Sequence, residues 1–547
     1  MPNLSQIKRQ RMMEFLDQIK EEHKDDDAML IAIGEIESEL NAKKYGLVWE
    51  KHEEAVDVKM RTHVPVFTED FEREIITSAN DNYNFLLEGD NLHSLQLLRK
   101  TNAGKIDVIY IDPPYNTGNK DFRYDDKFLD TVDGFRHSKW LSFMERRLQI
   151  AFSLLSERGC ILISINDIEY AQLKMLCDDL FGEERHIGTL IWKSRQNKDN
   201  RNITGVSVDH EYVLAYAKTK GIRNFKGSER ITTQYTNPDN DPRGPWTSGN
   251  MVGIATEEQR PNLHYDFIDH RTGINYGKPL MGWRYDRNTM RRLVDENRII
   301  FPETPEGRPR RKVFLSEVRE VRPGFSSVIG KDIYTRNGTA DIVSVFGKRV
   351  FDFPKPTELI RQLLEQTTTK ESMVLDFFAG SGTTAQAVLE LNKEDGGNRS
   401  FIVCTNNENG ICENVTYPRI KTVITGRRED GEVYSDGISA NLKYYRSDFI
   451  SKDEEYLSEA LLEHIAEMIQ LEHGVKLDGQ KYIMILDDDE ADDLAAHWSS
   501  YPDVKALYVS KNVLFTTEQN TLFKDVAVHI IPDYYFNFEL REVGETW

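Results

Sequence analysis

The chain has 547 residues, 39% of them hydrophobic and 10% aromatic, enough for several packed domains and too many for wholesale disorder. Seventy Lys and Arg against 91 Asp and Glu leave a net charge of −21, which taken whole argues against a polyanionic partner. No apolar run approaches the ~18 residues of a membrane-spanning helix, and the start MPNLSQIKRQ has no apolar stretch behind its basic residues, so neither a membrane span nor a secretory leader is expected. Cys160, Cys177, Cys404 and Cys412 form no CxxC or Cys/His cluster, so no disulfide framework and no metal site is expected, and the chain reads as a soluble, reduced, cytoplasmic protein.

Along the chain, residues 12–19 and 29–40 have helical apolar spacing, so 1–80 reads as a helical region whose end, 63–80, is a mixed connector. From residue 82 the rhythm changes. A short apolar run at 85–87 ends at Gly89-Asp90, a helix is predicted over 92–99, and 107–111 is a β-rich run closed by Asp112-Pro113-Pro114. A helix over 138–157, a buried-type strand at 160–165 and a helix over 168–181 follow. That alternation predicts a parallel sheet covered on both faces. It fades between 194 and 345, where Gly, Pro, Asn and Arg are frequent and aromatics such as Trp246, Tyr265, Tyr276, Trp283 and Tyr285 are scattered. It returns with a helix from Pro356 to Gln366, a strand at 373–378, a helix over 383–392 and a strand at 401–404. The tail is an acidic helical stretch with short strands at 482–486, 506–509 and 526–531. The reading is an α/β, Rossmann-like domain in two halves, 81–195 and 346–435, split by an insert, 196–345, with a helical addition at 1–80 and an α+β addition at 436–547.

The charge sorts along this map. Residues 14–40 carry a net −8 and residues 451–500 a net −11, while 191–230 carry +5 and 281–325 carry +4. The negative ends are expected to avoid nucleic acid and to serve subunit or partner contacts, and the insert to meet it.

Two motifs carry chemistry. In Val374-Leu-Asp-Phe-Phe-Ala-Gly-Ser-Gly-Thr-Thr384 a buried strand runs into a glycine turn and a helix, so a ligand can approach the backbone and the first free N–H groups of the helix. A phosphate loop needs a Lys that is missing here. A dinucleotide site needs an acid after the next strand, where Thr405-Asn406-Asn407 stand. A ligand-free tight turn and an S-adenosylmethionine site remain. The second motif, Asp112-Pro113-Pro114-Tyr115, ends a strand with a rigid turn. A carboxylate and a backbone carbonyl can together accept both N–H groups of an exocyclic amine, leaving its lone pair aimed at an electrophile, while the aromatic ring stacks on the base. Taken alone, such a turn is more often a capped strand end with a solvated carboxylate. Its pairing with the glycine motif favours the S-adenosylmethionine reading.

With both motifs in that order, residues 82–195 and 350–425 resemble a β-group amino-methyltransferase acting on adenine N6. The strings Asp112-Pro-Pro-Tyr-Asn-Thr-Gly-Asn-Lys120, Lys355-Pro-Thr-Glu-Leu-Ile360 and Leu87-Glu-Gly-Asp-Asn91 resemble the Mod subunits of type III restriction–modification systems. The resemblance implies an S-adenosylmethionine-dependent, site-specific, adenine-N6 DNA methyltransferase. It also implies a homodimer, a separate restriction subunit bearing helicase and nuclease, and a flipped target base. It gives Asp112, Pro113, Pro114 and Tyr115 the catalytic roles, with the Pro114 carbonyl beside Asp112 on the amine. Asp90, Asn91, Lys355, Pro356, Thr357, Asp376, Phe378, Ala379, Gly380, Ser381, Gly382 and Thr383 would surround the cofactor, with Asn406, Asn407 or Glu408 on its ribose.

Phe122 and Tyr124 are candidates for surface near the base. Lys193, Arg195, Arg201, Arg308, Arg310, Arg311 and Lys312 are candidates for contact with double-stranded DNA. The competing readings are a non-catalytic DNA-recognition subunit of a defence complex and an amino-methyltransferase for cytosine N4 or RNA.

Overall fold

The computed structural model describes residues 4–24, 26–41, 49–118, 123–124, 127–128, 134–199, 204–228, 232–317 and 323–545. The chain divides into two compact units, one built from residues 1–224 and 327–547 and the other from 225–326.

The first unit is organised by a mixed sheet of eleven strands. From one edge the main path runs His63–Glu69, Asn441–Ser451, Tyr83–Glu88, Ser400–Thr405, Met373–Asp376, Ile106–Ile111, Leu155–Ile165, Glu211–Ala217, His186–Trp192 and Val328–Ile329. Five successive pairings, from Asn441–Ser451 to Leu155–Ile165, are parallel. These strands read as unbroken apolar runs because helices cover both faces, so Val108, Ile109, Ile111, Ile161, Ile163, Val374, Leu375, Ile402 and Val403 are all buried. After Ile106–Ile111 the chain crosses through the helix Arg136–Leu154 to Leu155–Ile165. After Met373–Asp376 it crosses through Thr383–Asp395 to Ser400–Thr405, on the other side. The two crossovers diverge, so the topological switch point falls between Ile106–Ile111 and Met373–Asp376, where an open α/β sheet presents its ligand crevice.

The expected Rossmann-like core is present, and several boundaries move. The helix expected over 138–157 stops at Leu154, and the next strand starts at Leu155, five residues before its apolar run. Its polar beginning still belongs in the sheet because Leu155 pairs with Ile106. Gly159 permits the approach there, since a Cβ at that position would lie 2.8 Å from the carbonyl oxygen of Ile106. The connector over 63–80 contains a strand, His63–Glu69, paired antiparallel with Asn441–Ser451. Residues 441–451 therefore complete the main sheet instead of opening a separate C-terminal region.

The insert is also narrower than 196–345. Glu211–Ala217 pairs antiparallel with Leu155–Ile165, and His186–Trp192 pairs with Glu211–Ala217. The second unit, 225–326, has its own core of Met251, Trp283, Met290, Leu293 and Ile299 beside a three-stranded sheet of Trp246–Gly249, Arg310–Phe314 and Ile299–Ile300. The three short strands of the tail, Tyr482–Ile485, Ala506–Val509 and Ala527–Ile530, form a parallel sheet around Leu507, Val509, Leu494 and Phe523. At the other end Leu4–Glu22 and Asp27–Asn41 are two helices, joined by an ion pair of Lys20 with Glu37 at 2.5 Å. Among the described residues no helix is long and apolar enough to cross a membrane.

The strand Asn441–Ser451 is tied in by charge as well as by its ladder. Lys443 is 1% exposed, and its ammonium is held by Glu69 and, at 3.2 Å, by Glu74. Lys443→Met would leave buried Glu69 without its cation, while Glu74 keeps Lys476 at 2.6 Å, and guanidinium unfolding should register a loss of about 3–5 kcal/mol in stability.

Candidate active site

At the switch point the Asp112 turn leaves one strand and the glycine turn leaves its neighbour, with Val374 and Leu375 in register with Val108 and Ile109. Residues far apart in sequence are thus adjacent in space.

The Asp112 side is a closed network. The Tyr115 hydroxyl lies 2.9 Å from Asp112 Oδ1 and 3.0 Å from Glu211 Oε2. The Lys355 ammonium is 2.6 Å from the Tyr115 hydroxyl, 3.0 Å from Asp112 Oδ1 and 3.0 Å from Glu211 Oε2. It also stands over the Tyr115 ring, 4.7 Å from the centroid. Burial raises the Asp112 carboxyl above its ordinary range, against the opposing pull of Lys355. Burial alone would lower Lys355, but Asp112 and Glu211 outweigh it and hold the amine protonated above its usual value. Tyr115 is pushed well up by burial and by the two carboxylates, so it stays a phenol.

Two expectations change here. Lys355, expected among the cofactor residues, places its ammonium on the carboxylates of Asp112 and Glu211. The Pro114 carbonyl, expected to hold an amine, accepts the indole N–H of Trp140 at 2.7 Å. The Pro113 carbonyl receives no hydrogen bond among the described residues, which makes it the open acceptor of the turn. The next residue, Asn116, is buried in the left-handed region (φ +56°). Its amide donates to Glu169 Oε1, which His137 Nδ1 also contacts at 2.7 Å.

The glycine side is held from within. Asp376 accepts the Phe378 amide at 2.9 Å and the Thr384 hydroxyl, so both carboxylate oxygens turn inward, and burial raises its carboxyl to about 7. Asp376 shapes the turn. Gly380 and Gly382 adopt positive φ, +50° and +79°, and the Ala379 carbonyl accepts the Gly382 amide at 2.7 Å. The amides of Gly380 and Ser381 donate to nothing among the described residues. Arg419 lies beneath the turn, fully buried, donating to the hydroxyls of Ser381 (2.9 Å), Thr383 (2.8 Å) and Thr357 (3.0 Å) and to Gln386 Oε1 (2.7 Å). Burial lowers its guanidinium to about 10. Pro356 caps the helix Thr357–Thr367, and Thr357 donates its amide to Asp341.

At the next strand ends, Asp90 caps the helix Asn91–Thr101 by accepting the Leu92 amide at 2.7 Å. Asn91 donates to the Phe377 carbonyl at 2.9 Å and accepts from the buried Arg147, which also binds both oxygens of Glu54. The Asn91 amide is therefore engaged at both ends, a brace under the crevice. Asn406 is exposed just past Ser400–Thr405.

The expected DNA contacts divide. Lys193 and Arg195 are exposed after His186–Trp192, with Arg195 paired to Asp199 at 2.8 Å. Arg308 and Arg310 are exposed in the second unit. Arg311 is half-buried, 3.1 Å from the Tyr285 hydroxyl and 3.6 Å from Glu317. Lys312 does not fit the expected role. It is 4% exposed, and Asp239 and Asp241 hold its ammonium, because it shares a strand face with buried Phe314. Tyr124 lies in the short strand Arg123–Tyr124, while Phe122 and Arg201 lie outside the described residues.

Sequence reading missed three site residues. Glu211 heads an antiparallel strand, so its N-terminal residue lands at the C-terminal edge of the parallel strands. The cue was the polar run Asp209-His-Glu211 before apolar Val213–Ala217. Arg147 adjoins Arg146 and Arg419 shares its helix with Lys421, and nothing in the spacing distinguishes the buried arginines from surface cations.

Residues 106–418 match the family model described as DNA methylase. The StyLTI Mod subunit of a type III restriction-modification enzyme from Salmonella typhimurium is 35% identical over 370 residues, 62% of this chain and 55% of that one. The EcoP15I Mod subunit from Escherichia coli is 31% identical over 439 residues, 69% and 66% of the two chains. The type II methyltransferase M.KpnI from Klebsiella pneumoniae is 33% identical over 345 residues, 58% and 79% of the two chains. The chain thus spans between about half and two thirds of the length of these two Mod subunits.

Burial raises the Glu169 carboxyl to about 8 from an ordinary 4.5, despite the opposing Asn116 bond. The folded protein therefore holds a proton that the unfolded chain releases, and native stability falls as pH rises from 4.5 to 8 through this group. Glu169→Gln removes the titration, so its melting temperature should rise relative to wild type across that window. The difference should reach on the order of a few kcal/mol by pH 8, read from paired thermal melts.

Proposed function

The chain belongs to the DNA methylase family, and on that premise we propose that it transfers a methyl group from S-adenosylmethionine to adenine N6 in a short DNA sequence. The observation that carries this reading is the meeting, at one topological switch point, of a half-buried Asp112 turn and a glycine turn with two amides unbonded among the described residues.

The residues fit the cofactor. The free amides of Gly380 and Ser381 suit its carboxylate, Phe378 is a partly exposed aromatic at the crevice, and Asp90 and exposed Asn406 stand at the two strand ends beyond. Bound there, S-adenosylmethionine supplies an electrophilic methyl group. The protein's own task is to hold the acceptor amine. Asp112 Oδ2, unlike Oδ1, is not claimed by Lys355 or Tyr115, and with the Pro113 carbonyl it can take the two N–H groups of an exocyclic amine. That pairing aims the nitrogen lone pair out of the base plane and limits the amine to one approach. As the nitrogen gains its fourth bond it becomes positive, and the Asp112 carboxylate stabilises that charge and stands nearest to take the surplus proton. A base in a duplex reaches this crevice only after leaving the stack.

Adenine is favoured over cytosine N4 by the Asp that opens the motif, a family association. The similarity to Mod subunits supports a modification subunit that acts as a homodimer and works with a separate restriction subunit. The acidic stretches 14–40 and 451–500 suit protein contacts more than DNA. The completeness of both motif sets favours an enzyme over a recognition subunit without activity.

Incubation with methyl-labelled cofactor and mixed duplex DNA tests the reading. Wild type should label DNA, Asp112→Ala should lose at least about 100-fold in rate, and digestion should recover N6-methyladenine. No label from wild type would sink the enzyme, and N4-methylcytosine would reassign the base. For the DNA face, Arg308→Ala with Arg310→Ala should weaken binding and flatten its salt dependence by about two counterions. Lys312→Ala should instead lower thermal stability.

A further inference from the structure

The Lys355–Glu211 pair has no part in the motif chemistry, yet it is built into the acceptor. Lys355 comes from the loop before Thr357–Thr367 and Glu211 from the antiparallel strand beyond Leu155–Ile165, and the two meet at Asp112. Side-chain exposure is 10% for Lys355, 19% for Glu211 and 26% for Asp112. Asp112, part-buried beside a second carboxylate that contacts the same Tyr115 hydroxyl, needs a cation to stay ionised. Lys355 is that cation, within 3.0 Å of both. The other groups facing Asp112 are Tyr110 on its own strand and Asp376 on the neighbouring one, and neither supplies positive charge.

We propose that Lys355 and Glu211 are positioning residues for methyl transfer: Lys355 keeps Asp112 in its ionised, amine-accepting form, and Glu211 fixes the ammonium in place. This rests on the reading that Asp112 accepts the target amine. The ionised carboxylate matters because it accepts N–H groups more strongly than a carboxylic acid does and bears the positive charge that develops on nitrogen. Glu211 has a second, opposite effect, since its charge works against ionisation of Asp112. The two residues therefore move the acceptor in opposite directions, which a merely structural pair would not do.

The acid form of Asp112 is the poor acceptor, so activity rises with pH through its titration. Removing Lys355 raises that titration, and removing the Glu211 charge lowers it. The experiment records the pH profile of single-turnover methyl transfer to duplex DNA for wild type, Lys355→Met, Lys355→Arg, Glu211→Gln and the Lys355→Met/Glu211→Gln double variant. The acid limb should move up by about one pH unit or more in Lys355→Met, stay near wild type in Lys355→Arg, and move down in Glu211→Gln. In the double variant it should fall between those of the two single substitutions. Cofactor-free protein gives an independent readout. In Lys355→Met the Asp112 carboxyl, raised further without its cation, holds a proton to higher pH, so the melting temperature should fall with rising pH between 5 and 8 more steeply than in wild type, and the double variant should reduce that slope.

An active wild type whose Lys355→Met and Glu211→Gln variants keep the wild-type limb, with stability losses independent of pH, would overturn the proposal. Should Lys355→Met not fold, an unmoved or raised limb in Glu211→Gln overturns it alone. Wild type inactive on every DNA tested would instead strike the underlying reading.

Discussion

The parallel pairing of Met373–Asp376 with Ile106–Ile111 is the constraint on which the rest depends. Only two residue pairs define the register, Val374 with Val108 and Leu375 with Ile109. They decide which loop ends meet across the crevice. A slip of one residue would exchange the side chains of two packed faces, so the fit of both covering layers holds the register together with the ladder. Because the crossovers diverge from these two strands, nothing in the sheet covers the crevice between them. The Asp112 turn and the glycine turn gain their proximity from this one long-range strand pairing.

Around that register the site is fixed by buried charge. Arg419 ties the glycine turn to Thr357, Arg147 ties Asn91 to Glu54, and Lys355 ties Asp112 to Glu211. Each of these cations is more than nine-tenths buried or nearly so, and each has several acceptors, as it must where desolvation is severe. Apolar packing of the same volume would tolerate rotation and sliding. A guanidinium shared by three or four acceptors does not, since any shift leaves an acceptor bare. The crevice is therefore lined by groups held from behind, which suits a reaction whose demand is placement.

Much of this was legible in the sequence, and the failures have common causes. The strands Ile106–Ile111, Met373–Asp376 and Ser400–Thr405 are two-sided, so their apolar runs announce them. His63–Glu69 and Asn441–Ser451 lie toward the sheet edge, where His63, Thr68, Lys443 and Arg446 interrupt the pattern. Their identity depends on each other, across the whole length of the chain. Glu211–Ala217 was hidden by its neighbours, a polar approach and a Gly- and Asn-rich exit. The motif residues Asp112, Tyr115, Gly380 and Gly382 stand out in the sequence because their pattern is local. The partners of Lys355 and Pro114 do not, because each is supplied from elsewhere, Asp112 with Glu211 in one case and Trp140 in the other. Charge counting met the same limit. Lys312 adds to the positive sum of the insert, yet its charge is neutralised internally by Asp239 and Asp241.

The position of the insert in the chain explains how an excursion between two halves of a site leaves the site intact. The chain leaves the first unit after Glu211–Ala217, where Asn224 is anchored by a bond to the Arg158 carbonyl at 2.9 Å. It re-enters at Ser327, whose carbonyl accepts the Ile191 amide at 2.7 Å. Both junctions are thus pinned to the sheet, and Val328–Ile329 adds directly to His186–Trp192. Closing a loop between pinned ends grows only logarithmically in entropic cost with its length, so 102 residues with a core of their own strain the sheet little more than a short loop would. The strands flanking the excursion do more than tolerate it. The same antiparallel strand that launches the insert carries Glu211 at its start, so the element that admits a second unit also delivers a carboxylate to Asp112. Changes within 225–326 can alter what that unit contacts while the hairpin of His186–Trp192 and Glu211–Ala217 keeps the acceptor as it is.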